Sequence, residues 1–367
     1  MNSDATEKRP PFSKTMSDIL NYGSLNLAMA IGYRTRLFDF MDESDSFQSA
    51  CAIAEKTTLN ERYIKEWLGI MVCGGIIELA VDQNGEELFH LPKEHGNLLT
   101  RRAGNSNLGV YTQEIPLLTQ CAMEHVVQGF YSGKGVDYRH YPKFQSFMSQ
   151  LANAKHARVL VKEFLPAVDA GKMLEKMKSG IEVCDLGCAE GIALILMAEA
   201  FPQSDFLGMD ISEEAIEKAA ASAGKKGLKN ARFIKMDAAD LKDNRKFRCS
   251  FDYVTAFDAI HDQTRPLESL HGIHSILKPG GCFSMIDIAA STHLLQNKEH
   301  PMGAFLYTVS LMHCMPVGLV DGGTGLGMMW GREKAIQMLE LAGFKKIEIQ
   351  EIANDSFNLH FFCRKET

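Results

Sequence analysis

The spacing of apolar residues changes near residue 180. Before that point apolar side chains recur mostly every three or four positions, which predicts helices. After it, short apolar runs alternate with helical stretches, which predicts an α/β fold with a parallel, doubly wound sheet. The chain is therefore expected to consist of a mainly helical N-terminal part followed by an α/β domain.

A winged helix is predicted over residues 1–103. The first helix, at 12–41, is apolar on more than one face, so a partner domain or a second subunit should cover it. Two short helices and a hairpin follow, and Asn60 is a plausible N-cap of the second short helix. These later elements are expected at 47–57, 60–73, 76–81 and 87–91.

A winged helix raises the hypothesis of DNA binding, but the charges oppose it. The helix at 60–73 carries Glu61, Arg62, Lys65 and Glu66, so it lacks the surplus of basic side chains that phosphates require. The chain has a net charge of -7 and neither half is basic. No nucleic-acid partner is expected, and the region is interpreted as a dimerisation and lid module.

Residues 104–178 are predicted to be a helical linker interrupted near its middle. Glycines and Pro142 break the helix within 129–144, where aromatic residues remain. Two interpretations stay open for Tyr131 and Tyr138. The segment is either a loop that its tyrosines fix in place, or a wall that faces a substrate.

The α/β domain is predicted at 179–367 and has seven strands. The loop between the last two strands is too short for a crossover helix, so these two strands should be antiparallel. A long insertion, 289–331, precedes the last helix. The strands are expected at 181–186, 205–211, 231–236, 251–257, 282–288, 345–351 and 358–364.

The turn after the first of these strands has the composition of a ligand site. Gly187, Ala189 and Gly191 allow a ligand to approach the backbone, and the following helix offers free N–H groups. Dinucleotide sites use the wider spacing G-x-G-x-x-G. Asp185 would repel a pyrophosphate, but it could hold an ammonium group. S-adenosylmethionine has an ammonium group and no phosphate, so it suits this turn.

Two further carboxylates end the next two strands. Asp210 can accept hydrogen bonds from both hydroxyls of a ribose, and Asp237 can accept one from the exocyclic amine of adenine while Ala238 N–H meets a ring nitrogen. Each aspartate could instead be a helix cap or turn former. The other residues expected at the cofactor are Cys188, Ile211 and Phe257.

Two segments resemble known methyltransferases. The stretch from Asp185 to Gly191 resembles motif I, D-x-G-x-G-x-G, of the class I S-adenosylmethionine-dependent methyltransferases, with Ala189 at the second glycine. Phe257 to Asp262 resembles the segment after the fourth strand of small-molecule O-methyltransferases that carry an N-terminal winged-helix dimerisation domain. The resemblance implies a Rossmann-like methyltransferase sheet, S-adenosylmethionine as cofactor, a homodimer, and His261 as general base.

The roles of the residues around this segment have alternatives. Imidazole can take a proton from an attacking hydroxyl, yet His261 could merely cap the next helix. Asp258 and Asp262 are candidates to orient that histidine or to bind substrate. The insertion is either an apolar pocket wall or a helix pair packed on the core. Its candidate substrate residues are His313, Met315 and Trp330.

The sequence thus predicts methyl transfer from S-adenosylmethionine to an oxygen or nitrogen of a small molecule. An N-methyltransferase without a required base and a winged-helix regulator that senses S-adenosylmethionine are the alternatives. Met1–Pro11 lacks the apolar core of a signal peptide, and no apolar run is long enough to cross a membrane. The nine cysteines contain no Cys-x-x-Cys pair. We therefore expect free thiols, no metal site and a cytoplasmic location.

Overall fold

The computed structural model describes residues 11–353 and 355–367. The chain separates into two compact units, Met1–Pro116 and Leu117–Thr367. The boundary between the units falls within the predicted linker, 104–178. Residues 1–10, which carry most of the evidence against a signal peptide, lie outside the described residues. Among the described helices, none is both long and apolar enough to cross a membrane.

The first predicted helix is in fact two helices. Helix α1 spans Phe12–Arg34 and α2 spans Leu37–Asp42. Arg36 between them has a φ of 62°, in the left-handed region, which no helix interior tolerates. The prediction of one helix over 12–41 was wrong because the apolar pattern continues across this break.

The rest of the first unit has the predicted winged-helix elements. The Asn60 side chain accepts hydrogen bonds from Arg62 N at 3.0 Å and Tyr63 N at 3.3 Å, which confirms it as an N-cap. Three short antiparallel strands pair in the order β1-β3-β2. The elements are β1 Gln48–Ser49, α3 Ala50–Thr57, α4 Glu61–Cys73, β2 Glu78–Val81, β3 Glu87–His90 and α5 Lys93–Leu99.

Helix α1 presents apolar residues to two environments. One side packs in the core of the first unit, where Trp67 Nε1 donates to Ala28 O at 2.9 Å. The other side is open, with Phe12 74% and Leu20 67% exposed. The remaining large apolar side chains exposed along α1 are Met16, Ile19, Tyr22, Leu27 and Ile31.

Helices α6 to α9 run from the first unit into the second and precede the sheet. The predicted break in this helical stretch is present between α6 and α7, where Tyr138–His140 forms a single 3₁₀ turn. A π-helical turn, Leu160–Phe164, follows α7. The helices are α6 Glu114–Ser132, α7 Pro142–Val159, α8 Leu165–Ala167 and α9 Lys172–Ser179.

A seven-stranded sheet forms the centre of the second unit, with the order β6-β5-β4-β7-β8-β10-β9. β10 is antiparallel to both of its neighbours, whereas the pairs among β4 to β8 are parallel. The predicted fold, with its reversed last strand, is confirmed. The strands are β4 Glu182–Leu186, β5 Asp205–Asp210, β6 Ala231–Lys235, β7 Phe251–Phe257, β8 Leu277–Ile288, β9 Lys346–Ile352 and β10 Asp355–Arg364.

Apolar helices cover both faces of this sheet. Successive residues of a strand point to opposite faces, so Tyr253 packs in one apolar layer and Val254 in the other. The 289–331 insertion is largely helical and includes a π-helical turn, Ser310–Cys314. The helices are α10 Ile192–Ala200, α11 Glu213–Lys225, α12 Pro266–Ile276, α13 Leu294–Asn297, α14 Gly303–Val309, α15 Met315–Gly318 and α16 Gly331–Leu341.

Candidate active site

The turn between β4 and α10 can form only with small residues. Gly187 and Gly191 have φ values of 67° and 75°, and Ala189 reaches 47°. A side chain on Gly187 would overlap the Ala259 methyl, and one on Gly191 would overlap the Phe233 ring. Because left-handed backbone is costly for alanine, Ala189 stores strain here. The turn is thus closed tightly and leaves its N–H groups near the carboxyl edge of the sheet.

Asp185 is the buried carboxylate of this turn. It is 2% exposed, and its Oδ1 accepts a hydrogen bond from Thr255 Oγ1 of β7 at 2.7 Å. Burial raises the pKa of Asp185 to about 7. A positively charged ligand beside this carboxyl group would favour its ionised form.

A cavity opens above Asp185, between the turn and α7. The sequence predicted only one of its two walls. Ser149, Asn153 and His156 of α7 form the other wall, and their spacing of four and three residues places them on one helix face. That spacing was a usable signal in the sequence. The predicted residues that line the cavity are Asp185, Gly187, Cys188, Ala189, Gly191 and Phe257.

His156 is the titratable group of the α7 wall. Its ring meets the ring of Phe257 edge-on, with 4.8 Å between the centroids. Burial lowers the pKa of His156 to about 4, so the imidazole is neutral at physiological pH. This side of the cavity is therefore uncharged, in contrast to the side that holds Asp185.

The strand-end aspartates have different surroundings. Asp210 Oδ2 accepts a hydrogen bond from Ala189 N at 2.9 Å, so this carboxylate also holds the turn. Ile211 beside it is 55% exposed. Asp237 is already engaged, because it accepts from Arg265 Nη2 at 2.7 Å and from Ala239 N at 2.9 Å. The expected contacts of Asp210, Ile211, Asp237 and Ala238 with a nucleoside remain predictions.

His261 lies just beyond β7 and is held by a carboxylate that the sequence did not single out. It is 3% exposed, and its Nδ1 lies 2.8 Å from Asp287 Oδ1. The same oxygen accepts hydrogen bonds from Trp330 Nε1 at 3.0 Å and from Ile288 N at 2.8 Å. Asp287 sits near the end of β8, so it could have been found as a fourth strand-end carboxylate.

The other ring nitrogen of His261 faces Asp262. His261 Nε2 lies 3.2 Å from Asp262 Oδ1, and Asp262 Oδ2 accepts a hydrogen bond from Tyr138 OH at 3.0 Å. Burial alone would lower the pKa of His261, but the carboxylates of Asp287 and Asp262 raise it well above its usual value. The ring is therefore held between two acids, and its charged form is strongly stabilised.

Aromatic side chains close this cluster. The His313 ring lies 4.8 Å from the rings of Tyr141 and Phe144 and 5.6 Å from that of Tyr138. Tyr141 OH donates to Met312 O at 2.8 Å, so the tyrosines also tie the 129–144 segment to the insertion. The structure thus agrees with a segment that its tyrosines fix in place, and the substrate-facing wall remains a prediction.

The predicted substrate and catalytic residues do not all meet. Tyr138, His313 and Trp330 lie around His261, as described above, and Met315 is half-buried next along the chain from the π-helical turn. Tyr131 is 85% exposed on α6, and no contact of the described residues joins it to this cluster. Asp258 is exposed at the end of β7. The roles of Tyr131 and Asp258 remain predictions.

Two family models match separate parts of the chain. Residues 177–343 match a model described as a methyltransferase domain. Residues 23–101 match the Rv2258c-like winged HTH domain. The first match contains the glycine turn and His261, and the second contains the winged-helix elements.

Solved structures with the same fold include several methyltransferases. A putative O-methyltransferase from Nostoc punctiforme PCC 73102 superposes with a TM-score of 0.69 at 15% identity, covering 97% of this chain and 100% of that one. Human N-acetylserotonin methyltransferase, in complex with S-adenosylmethionine, gives 0.63 at 14% identity and covers 100% of both chains. At these identities the likeness concerns the fold.

A curated relative shares sequence with part of the chain. The tRNA (guanine-N(7)-)-methyltransferase of Yersinia enterocolitica is 32% identical over 111 residues, which make up 28% of this chain and 46% of that protein. The match thus spans less than half of that relative. Together, these comparisons show a region that matches the Rv2258c-like winged HTH domain, followed by a region that matches a methyltransferase domain.

Proposed function

We propose that this protein transfers the methyl group of S-adenosylmethionine to an oxygen or nitrogen atom of a small molecule. The observation that carries the proposal is the placement of two features at one edge of the sheet. Asp185 and the glycine turn lie at the carboxyl end of β4. His261 lies just beyond the neighbouring strand β7, and Asp287 lies near the end of β8. Cofactor and acceptor would meet there, since ligands of open α/β sheets bind at the carboxyl ends of the strands.

The cofactor would lie in the cavity between the turn and α7. Asp185 would face its ammonium group, and the N–H groups at the start of α10 would be available to its carboxylate. The ribose and adenine would extend past Asp210 and Asp237 at the next two strand ends. Calorimetry should give micromolar affinity for S-adenosylmethionine and S-adenosylhomocysteine and none for NAD. Binding of NAD instead would refute this assignment.

His261 would act as the general base for a hydroxyl acceptor. Nδ1–H would donate to Asp287, and Nε2 could take the proton only when the ring is neutral, which the two carboxylates disfavour, so the rate of transfer to a hydroxyl should rise with pH. Asp287 would stabilise the imidazolium that forms, as the aspartate of a catalytic triad does. Methyl transfer itself would be a direct displacement at the sulfonium, in which positioning supplies most of the rate.

An amine acceptor is the second candidate, because two carboxylates, Asp262 and Asp287, lie against His261. A neutral amine already has a lone pair and loses its proton only after the attack. His261→Ala should therefore lower kcat by about 10²–10⁴ for a hydroxyl acceptor and only modestly for an amine. The assay measures labelled methyl transfer to a panel of phenols, hydroxyacids and amines.

The matched control for this test is His293→Ala, which removes an exposed histidine of the same domain. Calorimetry with S-adenosylhomocysteine should give the same affinity for both variants and for the wild type. If His261→Ala abolishes cofactor binding or unfolds the domain, the residue is structural and its role as a base is refuted.

We also infer a cytoplasmic homodimer that binds neither nucleic acid nor membranes. The exposed apolar side of α1 supports a second copy as the occupant of that surface, and all nine cysteines are free. Light scattering should show a dimer at micromolar protein. Leu20→Glu should shift it to a monomer, and Ser17→Glu, with the same charge on the same helix, should not. A salt-dependent gel shift with duplex DNA would contradict the inference.

A further inference from the structure

Three potential metal ligands, one of them the proposed base, lie close together. The donor atoms are His261 Nε2, Asp262 Oδ1 and Cys314 Sγ, and all three lie within 4.8 Å of one another. His261 and Cys314 are buried, and Asp262 is largely so. Imidazole, carboxylate and thiolate are the ligand types that zinc binds.

The distances among these atoms fit a shared ligand. His261 Nε2 and Asp262 Oδ1 are only 3.2 Å apart, yet Asp262 Oδ1 has no hydrogen-bond partner among the described residues. An unprotonated imidazole nitrogen and a carboxylate oxygen this close would repel each other, so a proton or a bound cation is needed at this pair. A tetrahedral Zn²⁺ with bonds of about 2.0–2.1 Å would hold its nitrogen and oxygen ligands about 3.3 Å apart.

Each of the three side chains is also supported from behind. His261 Nδ1 is held by Asp287 at 2.8 Å, the arrangement in which a carboxylate orients a metal-bound histidine. Asp262 Oδ2 is held by Tyr138 OH at 3.0 Å, and Cys314 Sγ lies 3.6 Å from His313 Nδ1. Outer partners for every ligand are typical of a built metal site rather than of a chance cluster.

We propose that His261, Asp262 and Cys314 bind one divalent cation of the zinc class. The Cys314 thiol would lose its proton to solvent on binding, since the thiolate is the ligand. Thiolate and carboxylate would then balance the charge of the ion. The fourth position would remain open to water or to an acceptor atom.

Metal binding would be a second use of His261, which also belongs to the proposed methyl-transfer site. Metal and proton would compete for the same lone pair on His261 Nε2, so the metal-loaded protein could not use this histidine as a base. The sequence predicted no metal from the lack of a Cys-x-x-Cys pair, and Cys314 lies 52 residues beyond the adjacent pair His261 and Asp262. Only the fold places them together.

The test uses Co²⁺ as a probe, because a thiolate ligand gives tetrahedral Co²⁺ an intense near-ultraviolet charge-transfer band. The full-length protein, treated with chelator and reductant, should develop that band with about one equivalent of Co²⁺ and lose it on addition of Zn²⁺. Cys314→Ser should abolish the band. Cys363→Ser, which removes another buried thiol, in β10, is the matched control and should retain it.

Tyr138→Phe should keep the band but weaken metal affinity by roughly 10–100-fold, as the loss of outer partners does. A wild-type protein without the band, or a folded Cys314→Ser variant that retains it, would overturn the proposal. Circular dichroism and S-adenosylhomocysteine binding of each variant report the fold. Because metal binding is read without turnover, a protein with the band and no cofactor affinity would refute only the methyltransferase function.

Discussion

The affinity for the cofactor should depend on the ionisation of Asp185, and Thr255→Val should change that dependence. The buried carboxyl group accepts one side-chain hydrogen bond, from Thr255 Oγ1 at 2.7 Å. This bond favours the ionised form, whereas burial opposes it and raises the pKa to about 7. Valine has the shape of threonine without the donor, so the variant removes the one contribution that lowers this pKa.

The magnitude follows from the pKa. A rise from 3.8 to about 7 corresponds to about 4 kcal/mol against ionisation at about 1.36 kcal/mol per pH unit. If the ammonium of the ligand requires the carboxylate, its dissociation constant should increase about fivefold from pH 7 to pH 6. A hydrogen bond to a charged group contributes about 1.5–3 kcal/mol, so Thr255→Val should move the midpoint upward by roughly one to two pH units.

Whereas the affinity for the cofactor should rise with pH, the stability of the free protein should fall. The folded state holds the Asp185 proton more tightly than the unfolded state does. The protonated Asp185 therefore contributes its full share to the free energy of unfolding below about pH 4. That contribution is lost as the pH rises through about 7. Bound cofactor should remove this loss, because it stabilises the ionised carboxylate.

Calorimetric titration with S-adenosylhomocysteine between pH 5.5 and 7.5 measures how the dissociation constant changes with pH. This range lies below pH 8, near which the ligand's own amine titrates. Asp185→Asn should bind weakly at every pH and lose the dependence. Thr35→Val, which removes an exposed hydroxyl from the end of α1, should match the wild type. A wild-type affinity that stays constant across this range would refute the argument.

Three further outcomes are expected. Trp330→Phe removes a donor to Asp287 and should lower turnover roughly 10–100-fold through misplacement of His261, with cofactor affinity unchanged by calorimetry. Arg102→Ala leaves the buried Asp42 carboxylate without its paired bonds of 2.6 and 2.9 Å, and denaturant unfolding should show a loss of about 1–3 kcal/mol. Gly331→Ala should lower the melting temperature, because its φ is 77° and a methyl group would overlap the backbone at Ser291.

The sheet could be predicted because its signals are local. Buried parallel strands are continuous apolar runs, and the short loop before β10 leaves only an antiparallel pairing. The break at Arg36 could not be predicted in the same way. Apolar spacing continues through it, and the left-handed residue is an arginine rather than the glycine that usually marks such a turn.

The site was predictable where its residues lie at or just beyond the end of a strand. Asp185, Asp210 and Asp237 were found in this way, and so was His261. Asp287 was missed although it lies at the end of β8 in the same way, because no glycine turn follows it and its partners come from other segments. His156 was missed because polar residues are common on helix faces. Its position becomes informative only when the glycine turn is known to lie against that face of α7.

The position of β10 has a consequence for how the protein is synthesised. This strand is the last of the sheet to leave the ribosome, yet it lies between β8 and β9, with Phe361, Phe362 and Cys363 at most 1% exposed. Until residue 364 has emerged, β8 has a bare edge of unpaired backbone groups. The winged helix, which depends on contacts among the first 116 residues, can fold long before. A nascent chain should therefore carry a finished first unit and an open, aggregation-prone sheet, which makes the interval before β10 emerges the point at which a chaperone would matter most.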